Sequence, residues 1–377
     1  MKRGPGSDPE RLGREAEGER EFEPLPVTWD DRARELAASF VDHTAPSRLE
    51  QQDLERFCHL CLRFAHVERR IQGDVLCEIP THLSLLGEVR HPDLLDEVEA
   101  LAEAERGRLG LPDGPIEDLP ELLDDRGIKT IEWFHPSGRR EDEASGAFLF
   151  DPETGPSLLS LAPPGSVTGL QVLAHEYCHL LADIDPYENR FCTFSCAAGG
   201  DALLPGGRFA WEMETEIDLP EVRADLFARA FLLPRRHFAQ TLGDFGEGGS
   251  RGFHAPRLAD VAFYYGVSLP MVLGRLVDLE ILPRERARSM AEAHAPQTIE
   301  SQPSVTADPV TGLPRRFITL CLALFVKEQV SREQLGVLLD ADPETVSRLL
   351  AWMKAPPKEE VSLEPPFKAP PDGKRSG

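Results

Sequence analysis

Apolar residues recur at helical spacing along most of this chain and at strand-like spacing in one stretch near its middle. Ala33–Val41, Asp53–Ile71 and Leu94–Arg106 place apolar side chains three and four positions apart, with breaks near Pro46, Gly73 and Pro92. That is the periodicity of amphipathic helices. The pattern then shortens. Ile128–Phe134 (IKTIEWF), Ala147–Phe150 (AFLF) and Ser157–Leu161 (SLLSL) are β-like runs, and DPETG between the last two is a hairpin connection. Helical spacing returns in VTGLQVLAHEYCHLLADI, where Leu173, Ala174, Tyr177, Leu180 and Leu181 form the apolar face. It returns again in DLPEVRADLFARAFLLP. There Val222, Leu226, Ala230 and Leu233, with Ala224, Phe227, Ala228 and Phe231, make a broad buried face between a start at Pro220 and a stop at Pro234. A few strands followed by amphipathic helices predict an α+β fold.

The first of these helices carries HEYCH: His175, Glu176, Tyr177, Cys178 and His179. Residues four apart stack on one helix face, so His175 and His179 can grip one ion. Glu176 flanks that ion and can take a proton from a water there. Two imidazoles and a carboxylate at this spacing form the zinc site of a large class of metallopeptidases. A third protein ligand should follow, leaving a fourth position for water. Glu221 is the best candidate. Asp225, four residues on and on the same face, can hold the far nitrogen of a ligand histidine. Glu221 also reads simply as a favourable acid in a helix's first turn, and Glu188, Glu212, Glu214 and Glu216 are rival ligands.

LAHEYCHLLAD followed by EVRADLFARAFLLP resembles the ImmA/IrrE family of zinc-dependent metallopeptidases. Softer matches lie upstream (RGRLGLPDGPIEDLPELLDDRGIKTIEWF) and downstream (LADVAFYYGVSLPMVLGRLVDLEIL), so the resemblance covers roughly residues 100–282. It implies a zincin-like core of gluzincin type, zinc (Zn2+) held by His175, His179 and Glu221, and Glu176 as the catalytic base. It also implies a regulatory role, in which a transcriptional repressor is cleaved or inactivated to switch on stress-response or mobile-element genes. Counting from residue 179 to residue 221 gives a separation of 42, longer than the family's usual spacing. Longer relatives carry an N-terminal helix-turn-helix repressor domain. This chain shows no clear copy, so the partner expected is a protein substrate, a helix-turn-helix repressor encoded separately. An oxyanion-stabilising side chain is also expected, with Tyr187, His237 and His254 as candidates.

Composition sets the outer bounds. The 377 residues allow two or three domains. The pattern divides them into a polar tail over 1–27, an N-terminal helical region over 28–107 and a catalytic domain over 108–240. GDFGEGGSRG at 243–252 is a flexible connection. A helical, helix-turn-helix-like region over 253–293, a linker over 294–314, a small helical unit over 315–354 and a Pro-rich tail over 355–377 follow. The longest apolar run, Phe317–Val326, is too short to cross a membrane, and the charged start lacks a signal-peptide core. A cytoplasmic protein is expected. The formal charge of −24 opposes attraction to DNA or to an anionic membrane. The seven cysteines lack a paired CxxC arrangement and read as small buried hydrophobes.

Two units, 257–280 and 331–353, have the look of helix-turn-helix pairs and support a rival reading as a DNA-binding regulator. Their second helices are poor in donors. The first offers Arg275 among leucines and valines. The second opens on Asp342 and Glu344, which repel phosphate. Direct DNA binding is therefore not the expectation, and 315–354, richer in apolar residues than one small core requires, is expected to serve a protein contact. The reading favoured is a zinc metalloendopeptidase. A non-proteolytic regulator that uses the same fold to hold a repressor is the runner-up.

Overall fold

The computed structural model describes residues 24–26, 29–38, 51–75, 91–132, 146–162, 165–183, 203–204, 208–209, 219–245, 253–294 and 313–354. It is mostly helical, with a small mixed sheet, and so is α+β. In chain order the elements are α1 (Trp29–Ala38), α2 (Gln51–Gln72), α3 (His91–Leu109), α4 (Leu119–Asp125), β1 (Lys129–Glu132), β2 (Gly146–Asp151), β3 (Gly155–Ser160) and α5 (Val167–Ala182). Then come β4 (Leu203–Leu204), β5 (Arg208–Phe209), α6 (Leu219–Leu232), α7 (Arg235–Phe245), α8 (Ala255–Tyr265), α9 (Leu269–Asp278) and α10 (Arg284–His294). The last three are α11 (Arg315–Val326), α12 (Arg332–Leu339) and α13 (Pro343–Lys354).

The sheet order is β1-β3-β2. β1 runs parallel to β3, and β2 is antiparallel to it, with Phe148 opposite Leu158 and Asp151 opposite Gly155. The DPETG connection closes as expected. Thr154 N donates to Asp151 O, Glu153 N donates to Asp151 Oδ1, and Gly155 takes the left-handed φ of 70° that the turn requires. Of the run Ile128–Phe134, β1 occupies Lys129–Glu132, and residues 133 and 134 lie outside the described residues.

Side chains alternate across the sheet, and each face has its own core. Phe148 and Leu158 point to one side, into a cluster with α3–α10 that includes Leu173, Tyr177, Phe227, Phe231, Phe238, Leu258 and Leu273. Ile131, Ala147, Leu149, Leu159 and Leu161 point to the other, into a cluster with α1, α2 and α11–α13. The unit at 315–354 therefore does not keep its apolar run for itself. Phe317 packs on Phe64 of α2 with ring centroids 5.0 Å apart, and Arg63 of α2 donates to the carbonyls of Val337 and Leu338.

A buried ionic group joins the same layer. Lys129 Nζ lies 2.8 Å from Glu68 Oε2, and Arg316 Nη1 lies 2.6 Å from Glu68 Oε1. Both cations also lie over the Phe64 ring, 5.2 and 5.4 Å from its centroid.

Both helix-turn-helix-like segments are helix pairs with sharp corners. Gly266 caps α8 at φ 66°, and Ser268 caps α9 by accepting from Met271 N. α9 is a core helix: Met271–Val277 are buried, and the Arg275 guanidinium is held by Leu233 O and Glu99. Between α12 and α13, Asp340 adopts φ 50°, and Asp342 accepts from Glu344 N and Thr345 N. Cys58, Cys61, Cys178 and Cys321 are buried thiols, and Cys77, Cys192 and Cys196 lie outside the described residues. Among the described residues no helix is long and apolar enough to cross a membrane.

Candidate metal centre

α5 positions the HEYCH residues. Ser166 caps its start by accepting from Gly169 N, and its whole length from Gln171 to Ala182 is buried. Tyr177, on the side away from the histidines, packs on Phe227 and Phe231 of α6 and donates to Glu105. α6 thus lies alongside α5, as expected if a third ligand comes from that helix.

The two helices bring His175, His179 and Glu221 together, with one candidate ligand atom from each lying within 4.8 Å of the others. His175 Nε2 and His179 Nε2 are 3.1 Å apart. Glu221 Oε2 lies 3.2 Å from the first and Oε1 3.4 Å from the second. The far sides of both rings are anchored. His175 Nδ1 donates to Asp225 Oδ1 at 2.8 Å, and His179 Nδ1 donates to Asp183 Oδ2 at 2.6 Å. A carboxylate can only accept, so each pairing assigns the proton to Nδ1 and leaves Nε2 facing its partners.

The charge balance favours a cation. Burial lowers the proton affinity of His175, but the carboxylates of Asp225 and Glu221 outweigh it and hold this imidazole well above its ordinary value. Burial likewise opposes protonation of His179, while Glu221 and Asp183 push it up to about 9. Burial alone would raise the carboxyls of Glu221 and Asp183. The facing histidines, helped by Arg223 at Asp183, hold both below the usual range. Two imidazole nitrogens and a carboxylate that converge this closely need a proton or a metal ion between them. The donor set and its carboxylate-backed imidazoles suit zinc.

Glu176 is fully buried on the same stretch of α5. β2 lies against it. A Cβ built on Gly146 would come 2.7 Å from Glu176 Oε1 and 2.5 Å from Val172 Cγ1. Two residues along the strand, Phe148 stacks on His179 with ring centroids 5.8 Å apart and planes 8° apart.

The rival ligands Glu188, Glu212, Glu214 and Glu216, and the oxyanion candidate Tyr187, lie outside the described residues. His237 is not in the cluster; its Nδ1 is 2.6 Å from Tyr265 Oη, and its ring lies beside Gly114. His254 precedes α8 without a capping side-chain bond.

Sequence reasoning missed four residues of this site: Asp183, Arg223, Gly146 and Phe148. The signal for Asp183 was present, since it stands four residues after His179 on one helix face, the arithmetic that singled out Asp225. Neither the protein-family models nor the curated proteins compared with the sequence contain a match to it.

Proposed function

We propose that this protein is a zinc-dependent metalloendopeptidase of gluzincin type with a zincin-like core. As the resemblance to the ImmA/IrrE family implies, it would act as a cytoplasmic regulator that cleaves or inactivates a separately encoded helix-turn-helix repressor. The observation that carries the reading is the convergence of His175 Nε2, His179 Nε2 and both Glu221 oxygens beside a buried Glu176. A structural ion pair would not require both imidazoles to turn the same nitrogen inward while each holds a carboxylate behind it.

His175, His179 and Glu221 would hold the zinc, which supplies Lewis-acid polarisation of the scissile carbonyl and a lowered pKa for the attacking water. Asp225 and Asp183 keep the Nδ1 protons in place, so both rings present Nε2 throughout the reaction. Glu176 accepts a proton from the attacking water and returns it to the leaving amine. Gly146 lets the β2 backbone pass close to that carboxylate, and Phe148 shields the face of His179.

The test is Glu176→Gln. The amide is nearly isosteric but cannot serve as a base, so zinc content and fold should be retained while hydrolysis falls by about 10²–10⁴-fold. Cleavage of a co-expressed repressor, followed on a gel beside the transcriptional response, provides the readout. A Gln variant that gives the full response with the repressor intact would point to the non-proteolytic regulator instead.

A further inference from the structure

We infer that Arg223 and Asp183 form a positioning pair that orients His179 in the metal centre, so that α6 sets the direction of both imidazoles. The inference rests on the metal-centre reading above.

α6 meets α5 through Phe227 and Phe231, which pack on Tyr177 and share one side of the helix with the buried Ala224 and Ala228. Glu221 and Asp225 project from one flank of that ridge and reach His175 and His179. Arg223, two residues after Glu221, projects from the opposite flank. Its guanidinium donates to Asp183 Oδ1, while Asp183 Oδ2 accepts from His179 Nδ1. The three α6 residues therefore straddle α5 and hold the two histidines from both sides.

Two features make a packing role insufficient. Asp183 is the C-cap residue of α5, where the helix dipole disfavours an acid. A carboxylate is tolerated there because it is flanked by the His179 N–H and the Arg223 cation. Arg223 itself is nearly sequestered, with a side-chain exposure of 6%, against 10% for Asp183. A buried guanidinium is costly unless paired. Among the described residues Asp183 is its only ion-pair partner. The pair thus sets a buried, paired charge directly behind the Nδ1 of His179.

The test uses the full chain and four variants: Asp183→Asn, Arg223→Met, the double variant, and Arg223→Lys. Zinc affinity is measured by competition with a chromophoric chelator, and the visible band of the cobalt-substituted protein reports ligand orientation. Loss of such an outer carboxylate should weaken zinc binding by about 10–100-fold. Arg223→Met should fall in that range and shift the cobalt band. The double variant should lie within about twofold of Asp183→Asn, because Arg223 acts through Asp183. Arg223→Lys, which keeps the charge without the planar fork, should recover part of the loss.

Unchanged zinc affinity in Arg223→Met, or losses that multiply in the double variant, would overturn the pairing. Should Arg223→Met fail to fold, the isosteric Asp183→Asn decides, and wild-type affinity there is equally fatal. A wild-type chain that binds no zinc removes the metal-centre reading and this inference with it. Wild-type-like affinity in both single variants removes only the pair.

Discussion

Gly146 and Glu176 occupy adjoining space. The first residue of β2 has no side chain at the point where the carboxylate of Glu176 rises from α5, and a Cβ there would fall 2.7 Å from Oε1 and 2.9 Å from Cγ. Real Cβ atoms do not approach so closely. The edge strand β2 and α5 are therefore held at a distance that glycine alone permits. The same strand places Phe148 on the ring of His179. The position of the β2 backbone is thus coupled to both the proposed base and a proposed ligand.

Gly146→Ala should move Glu176 while leaving the three ligands in place. Overpacking of this kind costs about 1–3 kcal/mol. Hydrolysis should drop at least tenfold at nearly full zinc occupancy, a separation that a general loss of structure would not produce. Val172→Ala added to Gly146→Ala removes the contact at Val172 Cγ1 but not the one at Glu176. The double variant should regain part of the lost melting temperature and little of the activity. Recovery of both together would show that Val172, not Glu176, is the residue Gly146 accommodates.

The purified protein should carry about one zinc per chain, since three side chains and a water complete a tetrahedral site. His175→Ala and Glu221→Ala should each empty it under mild dialysis against chelator, with metal content read by atomic emission. If Glu221→Ala keeps full occupancy while Glu212→Ala or Glu216→Ala loses it, the third ligand has been misassigned.

Metal-free protein should become less stable as pH rises from about 6.5 to about 9. The sign follows from His179, whose imidazole is pushed up to about 9 in the folded chain, above its unfolded value. A raised folded value adds stability that is complete below the unfolded value and is lost as pH climbs through the folded one. His175 is raised in the same direction. The two rings share one site, so the combined effect is on the order of 1–3 kcal/mol. Urea melts of the chelator-treated protein at pH 6, 7.5 and 9 measure it. Zinc competes with those protons, so its affinity should rise over the same window and its binding should release protons to the buffer. A metal-free stability that is flat across the window would remove the claim that the empty site holds a proton.

The strands, the hairpin and the two helices of the site were legible because each rests on local periodicity and punctuation. The link from His175 to Glu221 and Asp225 was legible because four-residue spacing on two helices defines two faces. Gly146 was not, since a glycine at a strand start carries no sign of what it must avoid. Arg223 was not, because it sits two residues from Glu221 and helical arithmetic turns it away from the ligand face. The partner of α11 was also hidden. Spacing shows that Phe317, Leu320, Cys321 and Leu324 share an apolar face, but not that α2, some 250 residues earlier in the chain, covers it. Residues 315–354 therefore read as a unit with apolar surface to spare. In the fold that surface packs on α2, within the core on that face of the sheet.

That packing makes the C-terminal helices part of the stability of the sheet layer. Glu68 and Lys129 are fully buried, and Arg316 completes their group from α11. Removing one partner of a buried ionic group costs about 3–5 kcal/mol, because the charge left behind has been desolvated without compensation. Arg316→Met should lower the urea midpoint accordingly, and Phe317→Ala, which opens a cavity against Phe64, should cost about 3–5 kcal/mol. Zinc should remain bound in both variants under conditions where they stay folded, since neither residue touches the centre. Truncation before residue 313 uncovers Phe64 and the Glu68–Lys129 pair together and should yield a chain that aggregates or melts far below the full-length protein. A truncated chain with the wild-type melting temperature and full zinc content would show instead that 315–354 is a separate lobe, free to serve a partner.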